Sequence, residues 1–220
     1  MAYTTIDDPS KHFHIQLYTG TGSSRSVTND ADGGDFQPDL VITTSRSNGY
    51  NRGLFDTSRG VQKELKTNSN VSQATLTTGL SAFDSDGFSF NGASYNTSSY
   101  TFVAWQWKAN GGTTTTNSNG NIDTTVQANT TAGFSIVQWE GANSTATLGH
   151  GLGAVPELII SKCIDTTQEW GVYHQGLGND DYLHLNEDAA EQDNNAYWND
   201  TTPTSTVWSV GNSGPTNDNG

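Results

Sequence analysis

Apolar residues in this chain fall mainly at every second position. Ile15 and Leu17 alternate with His14 and Gln16, and Phe88 and Phe90 flank Ser89. Leu183 and Leu185 flank His184, and Trp208 and Val210 flank Ser209. A period of two is that of a strand with one face in the core and one in water, so each run predicts a strand. Leu158-Ile159-Ile160 and Tyr100 to Trp107 are apolar at successive positions, which predicts central strands covered on both faces, with Trp105 and Trp107 in the core. Pro38 and Pro156 stand just ahead of two apolar runs, where a strand loses no ladder donor to proline. Helical periodicity is confined to one short stretch, Glu187 to Gln192.

The pattern occurs twice. Pro38, Leu40, Ile42, Gly53, Phe55, Gly60 and Leu65 reappear 118 residues later as Pro156, Leu158, Ile160, Gly171, Tyr173, Gly178 and Leu183. Upstream the offset is 121, placing Phe13, Ile15, Tyr18 and Gly20 on Phe134, Ile136, Trp139 and Gly141. Downstream it is 120, placing Phe88 on Trp208 and Phe90 on Val210. A repeat this long indicates two domains, not solenoid units. Copy one then continues through Thr101 to Trp107, whereas copy two reaches only the position of Tyr100, so its last strand has no counterpart. A sandwich without that strand exposes an apolar seam. Either a partner chain fills it by strand addition, or the polypeptide continues beyond Gly220. An intact mass near 23.5 kDa leaves only the first.

Turn signals separate the runs: Asp32-Gly33-Gly34-Asp35, Ser47-Asn48-Gly49, Asp86-Gly87, Asn91-Gly92 and Asn179-Asp180-Asp181. Short strands between such turns predict an all-β chain of two tandem antiparallel β-sandwich domains of jelly-roll or lectin-like type. The expected organisation is an N-terminal segment over 1–12, copy one over 13–112, a Thr/Asn-rich linker over 113–130 and copy two over 131–220. Ile122 to Asn129 is a candidate for one further strand within that linker.

Composition narrows the chemistry. Nine Lys and Arg against 23 Asp and Glu give a net charge of −14, which lacks the basic footprint that nucleic acid or an anionic membrane surface requires. Cys163 is the single cysteine, so no intrachain disulfide framework exists, and it reads as a small buried hydrophobe. Met1 to Pro9 has neither a basic start nor an apolar run, so no signal peptide is expected.

No nucleophile elbow, phosphate-binding loop, Cys-x-x-Cys or His-Glu-x-x-His occurs, and the five histidines have no ligand spacing. Catalytic residues, cofactor and metal are therefore each expected to be none. The clusters Asp30 to Asp35 and Asp84 to Gly87 carry oxygen donors that suit calcium but not the full EF-hand pattern, and read as Asx turns. Tyr197 and Trp198, set among Asn and Asp, are the candidate for an exposed aromatic platform that stacks against a glycan. The competing reading buries both rings beneath a loop.

A family resemblance rests on Gly133 to Val137 and on the string Gly149-His150-Gly151-Leu152-Gly153-Ala154-Val155-Pro156-Glu157-Leu158-Ile159-Ile160-Ser161-Lys162. Trp170 to His174, Tyr197 to Asp200, Pro203 to Ser205, and in copy one Leu54 to Gly60, Phe83 to Phe88 and Val103 to Lys108, extend it over almost the whole chain. These segments resemble bacteriophage virion structural proteins, largely from marine phages and often tail-fibre-like. Ser161 departs from the pattern, standing where an apolar residue is more usual. The resemblance implies a non-enzymatic virion protein, made in the host cytoplasm, that joins other virion proteins and copies of itself. It also implies a strand like Thr101 to Trp107 after the second copy; a host surface glycan is the target that Tyr197 and Trp198 suggest, and residues 1–12, which precede the repeat and are not duplicated, are the candidate virion anchor. A tail fibre or appendage is the expected role, with a capsid decoration or head fibre, or a host-polysaccharide depolymerase, as alternatives.

Overall fold

The computed structural model describes residues 6–30 and 34–219. The chain is nearly all β, with antiparallel sheets of sandwich type. It divides into two compact units: Met1–Lys66 with Ala74–Thr113, and Thr67–Gln73 with Thr114–Gly220.

Unit 1 contains β1 (Phe13–Thr19), β2 (Arg25–Thr28), β3 (Leu40–Ser45), β4 (Gly53–Asp56), β5 (Lys63–Lys66), β6 (Ala74–Thr75), β7 (Leu80–Asp84), β8 (Gly87–Phe90) and β9 (Thr101–Trp107). One sheet has the order β1-β9-β3-β4-β5-β6 and the other β2-β8-β7. Both contribute to one core that includes Tyr18, Val27, Val41, Phe55, Leu80, Phe88, Phe90, Phe102 and Ala104. Strand β9 is the hinge of the larger sheet, paired antiparallel with β1 on one side and β3 on the other.

Alternation decides which β9 side chains reach that core. Phe102 and Ala104 are buried there, and Tyr18 stacks on Phe102 with ring centroids 5.2 Å apart. Trp105 and Trp107 lie on the opposite face and are half-buried, which corrects the expectation that both are core. Central position in a sheet covers a strand's edges; it does not cover both faces. The outward face continues into Ile15 and Leu17, which are plainly exposed.

Unit 2 contains β10 (Thr115–Asn117), β11 (Thr124–Asn129), β12 (Phe134–Gln138), β13 (Ala146–Gly149), β14 (Leu158–Ser161), β15 (Gly171–His174), β16 (Asp181–His184), β17 (Gln192–Asp193), β18 (Val207–Val210) and the short helices α1 (Asn195–Trp198) and α2 (Gly214–Asn217). Its sheets are β10-β11-β12, β13-β18 and β14-β15-β16-β17. Ala146, Leu148, Tyr173, Tyr182, Tyr197, Trp198, Trp208 and Val210 form its core. Residues 67–73 belong here as well: Trp170 Nε1–H donates to the Ser69 carbonyl, and Gln73 N–H to that of Ile164.

Three expectations are corrected. The run 113–130 is not a bare linker: the strand expected over Ile122 to Asn129 is present as β11, and β10 precedes it, because Thr124, Val126 and Gln127 find buried positions beside β12. Glu187 to Gln192 is not helical; the turn of helix falls on Asn195–Trp198, where the Asn194 side chain caps the Ala196 N–H. Among the described residues β14 pairs only with β15, so Leu158-Ile159-Ile160 is an edge and not a central strand. Of the proposed anchor, residues 1–5 lie outside the described residues, and Pro9–Lys11 form one 3-10 turn leading into β1.

In each unit one buried asparagine fixes the loop that follows β1 or its counterpart β12. Asn96 is fully buried; its Oδ1 accepts from Thr21 N–H, and its Nδ2–H donates to the Ser23 and Gly92 carbonyls. Asn217, 121 residues on, accepts from Ala142 N–H and donates to Ser144 and Gly211 carbonyls. Gly20 and Gly141 make the clamp sterically feasible, because a Cβ on either would overlap the Thr97 or Asp218 carbonyl oxygen. Replacing Asn96 or Asn217 by Ala removes three hydrogen bonds to loop backbone groups at once, each worth about 1 kcal/mol. Urea unfolding is expected to register a loss of about 3 kcal/mol for each substitution.

Candidate functional site

The string Gly149 to Lys162 leads from the core to the surface. His150 is buried beside Trp208, with ring centroids 6.2 Å apart. Its Nδ1 accepts from Leu152 N–H at 3.2 Å, which places the proton on Nε2 for donation to the Thr204 carbonyl at 3.2 Å. Burial lowers the imidazole below its ordinary value, against the opposing effect of the Thr204 bond. A neutral ring with both nitrogens occupied is a structural staple, so the most specific part of the motif organises a loop. Gly149 packs so closely on the Asn117 side chain that a Cβ would overlap it. Ser161, the departure from the family pattern, is buried and donates to the Pro215 carbonyl at 2.9 Å.

Tyr197 and Trp198 do not form an exposed platform. They are only 6% and 2% exposed, because the single turn of α1, ended by Asn199 in the left-handed region, directs both rings inward. Tyr197 stacks on Tyr182 at 3.6 Å between centroids, and Trp198 meets Tyr173 edge-on. The two rings are core, and a glycan has no access to their faces.

The densest polar cluster adjoins this stack. His184 Nδ1 lies 2.8 Å from Glu187 Oε2, and its Nε2 lies 2.8 Å from the Tyr197 hydroxyl. With Nδ1–H donating to the carboxylate, Nε2 accepts a hydrogen bond from the Tyr197 hydroxyl, so the three groups form one hydrogen-bonded line. Its inner end is a hydroxyl pushed up by burial on a ring covered by Tyr182. Glu169 sits nearby; desolvation works to raise its carboxyl, but hydrogen bonds from Asn186 and Asn70, with His184 and Lys162 close, hold it below the usual range. Sequence alternation gave His184 no partner; the αL turn that brings Tyr197 back is what supplies one.

Other candidates are likewise absorbed. Asp84 Oδ2 accepts from Ser89 Oγ within a hairpin, and residues 31–33 of the first Asp cluster lie outside the described residues. No group of three or more metal-ligating side chains occurs among the described residues. Cys163 is half-buried, 3.2 Å from Thr166 Oγ1.

What remains unabsorbed is the outer edge of β14. Leu158 and Ile160 are 54% and 46% exposed on a strand paired on one side only, with Glu157 exposed beside them. An unblunted apolar edge is a template for another strand, and most folds avoid leaving one. The fold is that of a two-unit β protein with an exposed apolar strand edge in its second unit. The chain belongs to the family described as Domain of unknown function (DUF7483), whose model matches residues 8–220. No curated protein and no solved structure matches it.

His150 sets a pH dependence with a definite sign. Its folded value is depressed, so its contribution is complete above the unfolded value near 6.5 and is lost as pH falls through the folded one. Thermal melts are therefore expected to show the wild type losing stability below that pH. His150→Gln should melt lower at neutral pH but lose less on acidification; an unchanged slope would contradict the assignment.

Proposed function

We propose that this chain is a non-enzymatic structural component of a bacteriophage particle, a tail fibre or tail appendage that takes part in host attachment. The observation that carries the reading is the open apolar edge of β14, which suits a chain completed by neighbours in an assembly. The resemblance of Gly149 to Lys162 and the flanking segments to virion proteins points the same way. Further support comes from the polar groups: Asp39, Asp56, His150 and Glu169 are all engaged in bonds that hold loops. The acidic surplus of −14 keeps densely packed copies soluble. Its partners are other virion proteins and further copies of itself, and host contact is made away from Tyr197 and Trp198.

Mass spectrometry of purified particles, followed by antibody labelling in electron microscopy, tests this. The chain should be present at structural stoichiometry, with label on the tail. Label on the head would instead make it a decoration or head fibre, and absence from the particle would end the reading.

A further inference from the structure

The geometry points to Asn48 as a site of spontaneous covalent modification. The Gly49 amide nitrogen attacks the Asn48 side-chain carboxamide, closes a succinimide ring and expels ammonia, and water opens that ring to aspartate or isoaspartate. This rests on the loop between β3 and β4 and not on the virion reading.

Five Asn-Gly pairs occur, with asparagine at positions 48, 91, 110, 119 and 219. An unfolded chain treats such pairs alike, because glycine has no side chain to crowd its own nitrogen. Folding separates them. Ring closure needs the glycine nitrogen beside the asparagine Cγ and a peptide plane free to turn, so the restraints on each pair decide its rate.

At Asn48 the nucleophile is in place and little restrains it. Gly49 N lies 3.2 Å from Asn48 Oδ1, beside the carbon it must attack. Both residues are exposed, and the space where a Gly49 Cβ would stand is open to 4 Å. The turn is anchored through the Asn48 backbone alone: its N–H donates to Ser45 Oγ, and its carbonyl accepts from Tyr50 N–H.

The other pairs are held. Gly111 N–H donates to the buried Asp39 carboxylate at 2.9 Å, and the Asn110 amide donates to the Thr113 carbonyl. A carboxylate beside that nitrogen opposes its deprotonation. Asn91 has both ends of its amide engaged, Oδ1 by Ser24 and Nδ2 by Thr77, and the Gly92 carbonyl belongs to the Asn96 clamp. Gly120, after Asn119, packs so closely that a Cβ would lie 2.1 Å from the Thr147 carbonyl oxygen, which leaves its peptide plane no room to turn. Asn219-Gly220 extends outside the described residues.

The step balances with hydroxide and water as the only co-reactants. Hydroxide takes the Gly49 amide proton, the N–Cγ bond forms, the Cγ–Nδ2 bond breaks, and the leaving nitrogen departs protonated as ammonia. Water then adds at Cγ to give aspartate, or at the main-chain carbonyl to give isoaspartate. Either product adds a negative charge to a chain already at −14. Isoaspartate also routes the backbone through Cβ and Cγ, next to Ser47, whose Oγ accepts from Thr101 N–H at the head of β9.

The test incubates the full chain at mildly alkaline pH in heavy-oxygen water and follows each Asn-Gly peptide by mass spectrometry, folded and in urea. In the folded chain Asn48 is expected to convert at least about fivefold faster than Asn91, Asn110 or Asn119, and in urea the four should agree within about twofold. Isoaspartate should exceed aspartate, with the new oxygen drawn from solvent. Gly49→Ala, at a position with open space and no positive φ, should slow conversion about tenfold or more and leave Tm unchanged. Amide exchange at Thr101 should quicken in the isoaspartate form; an unchanged rate would remove the stated effect on β9. Equal rates at the four folded sites, or conversion unaffected by Gly49→Ala, would overturn the proposal. Aspartate as the sole product would also overturn it, since direct hydrolysis gives no isoaspartate.

Discussion

Each unit depends on a buried asparagine that bonds three backbone segments at once. Asn96 and Asn217 each hold the loop leaving β1 or β12 against the stretch that follows β8 or β18, by one accepted and two donated bonds. A side-chain amide suits this because it donates and accepts within one rigid plane, whereas a carboxylate could not donate. In unit 1 the clamp sets where Tyr100 leaves the loop and enters β9, and so sets the register that β9 offers β1 and β3. The same geometry in unit 2 places Asn217 and Asp218 against Gly141 to Asn143.

Conservation of the frame permits exchange of its filling. Glu64 of β5 accepts a bond from the Tyr95 hydroxyl in unit 1. Position 64 becomes Tyr182 and position 95 becomes Thr216 in the second copy. The volume vacated by the Tyr95 ring is taken by Tyr197, which enters from α1 and stacks on Tyr182. Gly53 and Gly171 report the swap: a side chain at the first would strike Tyr95, and at the second would touch Tyr197. An ion-and-phenol pair has become an aromatic stack, with His184 taking up the remaining hydroxyl.

Much of the fold was legible because alternation and the repeat are both one-dimensional. Phe88 with Phe90 and Trp208 with Val210 lie on strands, and their periods alone indicate it. What the pattern could not convey was which face of a strand meets the core. Trp105 and Trp107 are as apolar as Phe102, but only phase relative to Tyr18 separates them. Tyr197 and Trp198 misled for a related reason: their polar neighbours suggested a surface, while a single capped turn suffices to reverse two rings. The polar run 113–130 resembles a linker in composition, but Thr and Gln can occupy a buried ladder once their hydroxyls and amides are bonded, as Thr124 is to the Gly149 carbonyl. The candidate edge was legible in part, since absence of a counterpart to Thr101 to Trp107 can be read by alignment of the two copies.

Composition does not convey which strand edges lie open. An open edge can be blunted with lysine, proline or a bulge, the usual protections against pairing. At β14 none of these has occurred. Leu158 and Ile160 remain aliphatic in a chain otherwise saturated with Thr, Asn and Asp, and β-branched polar substitutes would have cost little at half-exposed sites. Nearby Ser161 shows that the same strand accepts a hydroxyl when a bond is provided. Apolarity at these two positions, beside an exposed Glu157, is the observation on which the proposed role in an assembly rests.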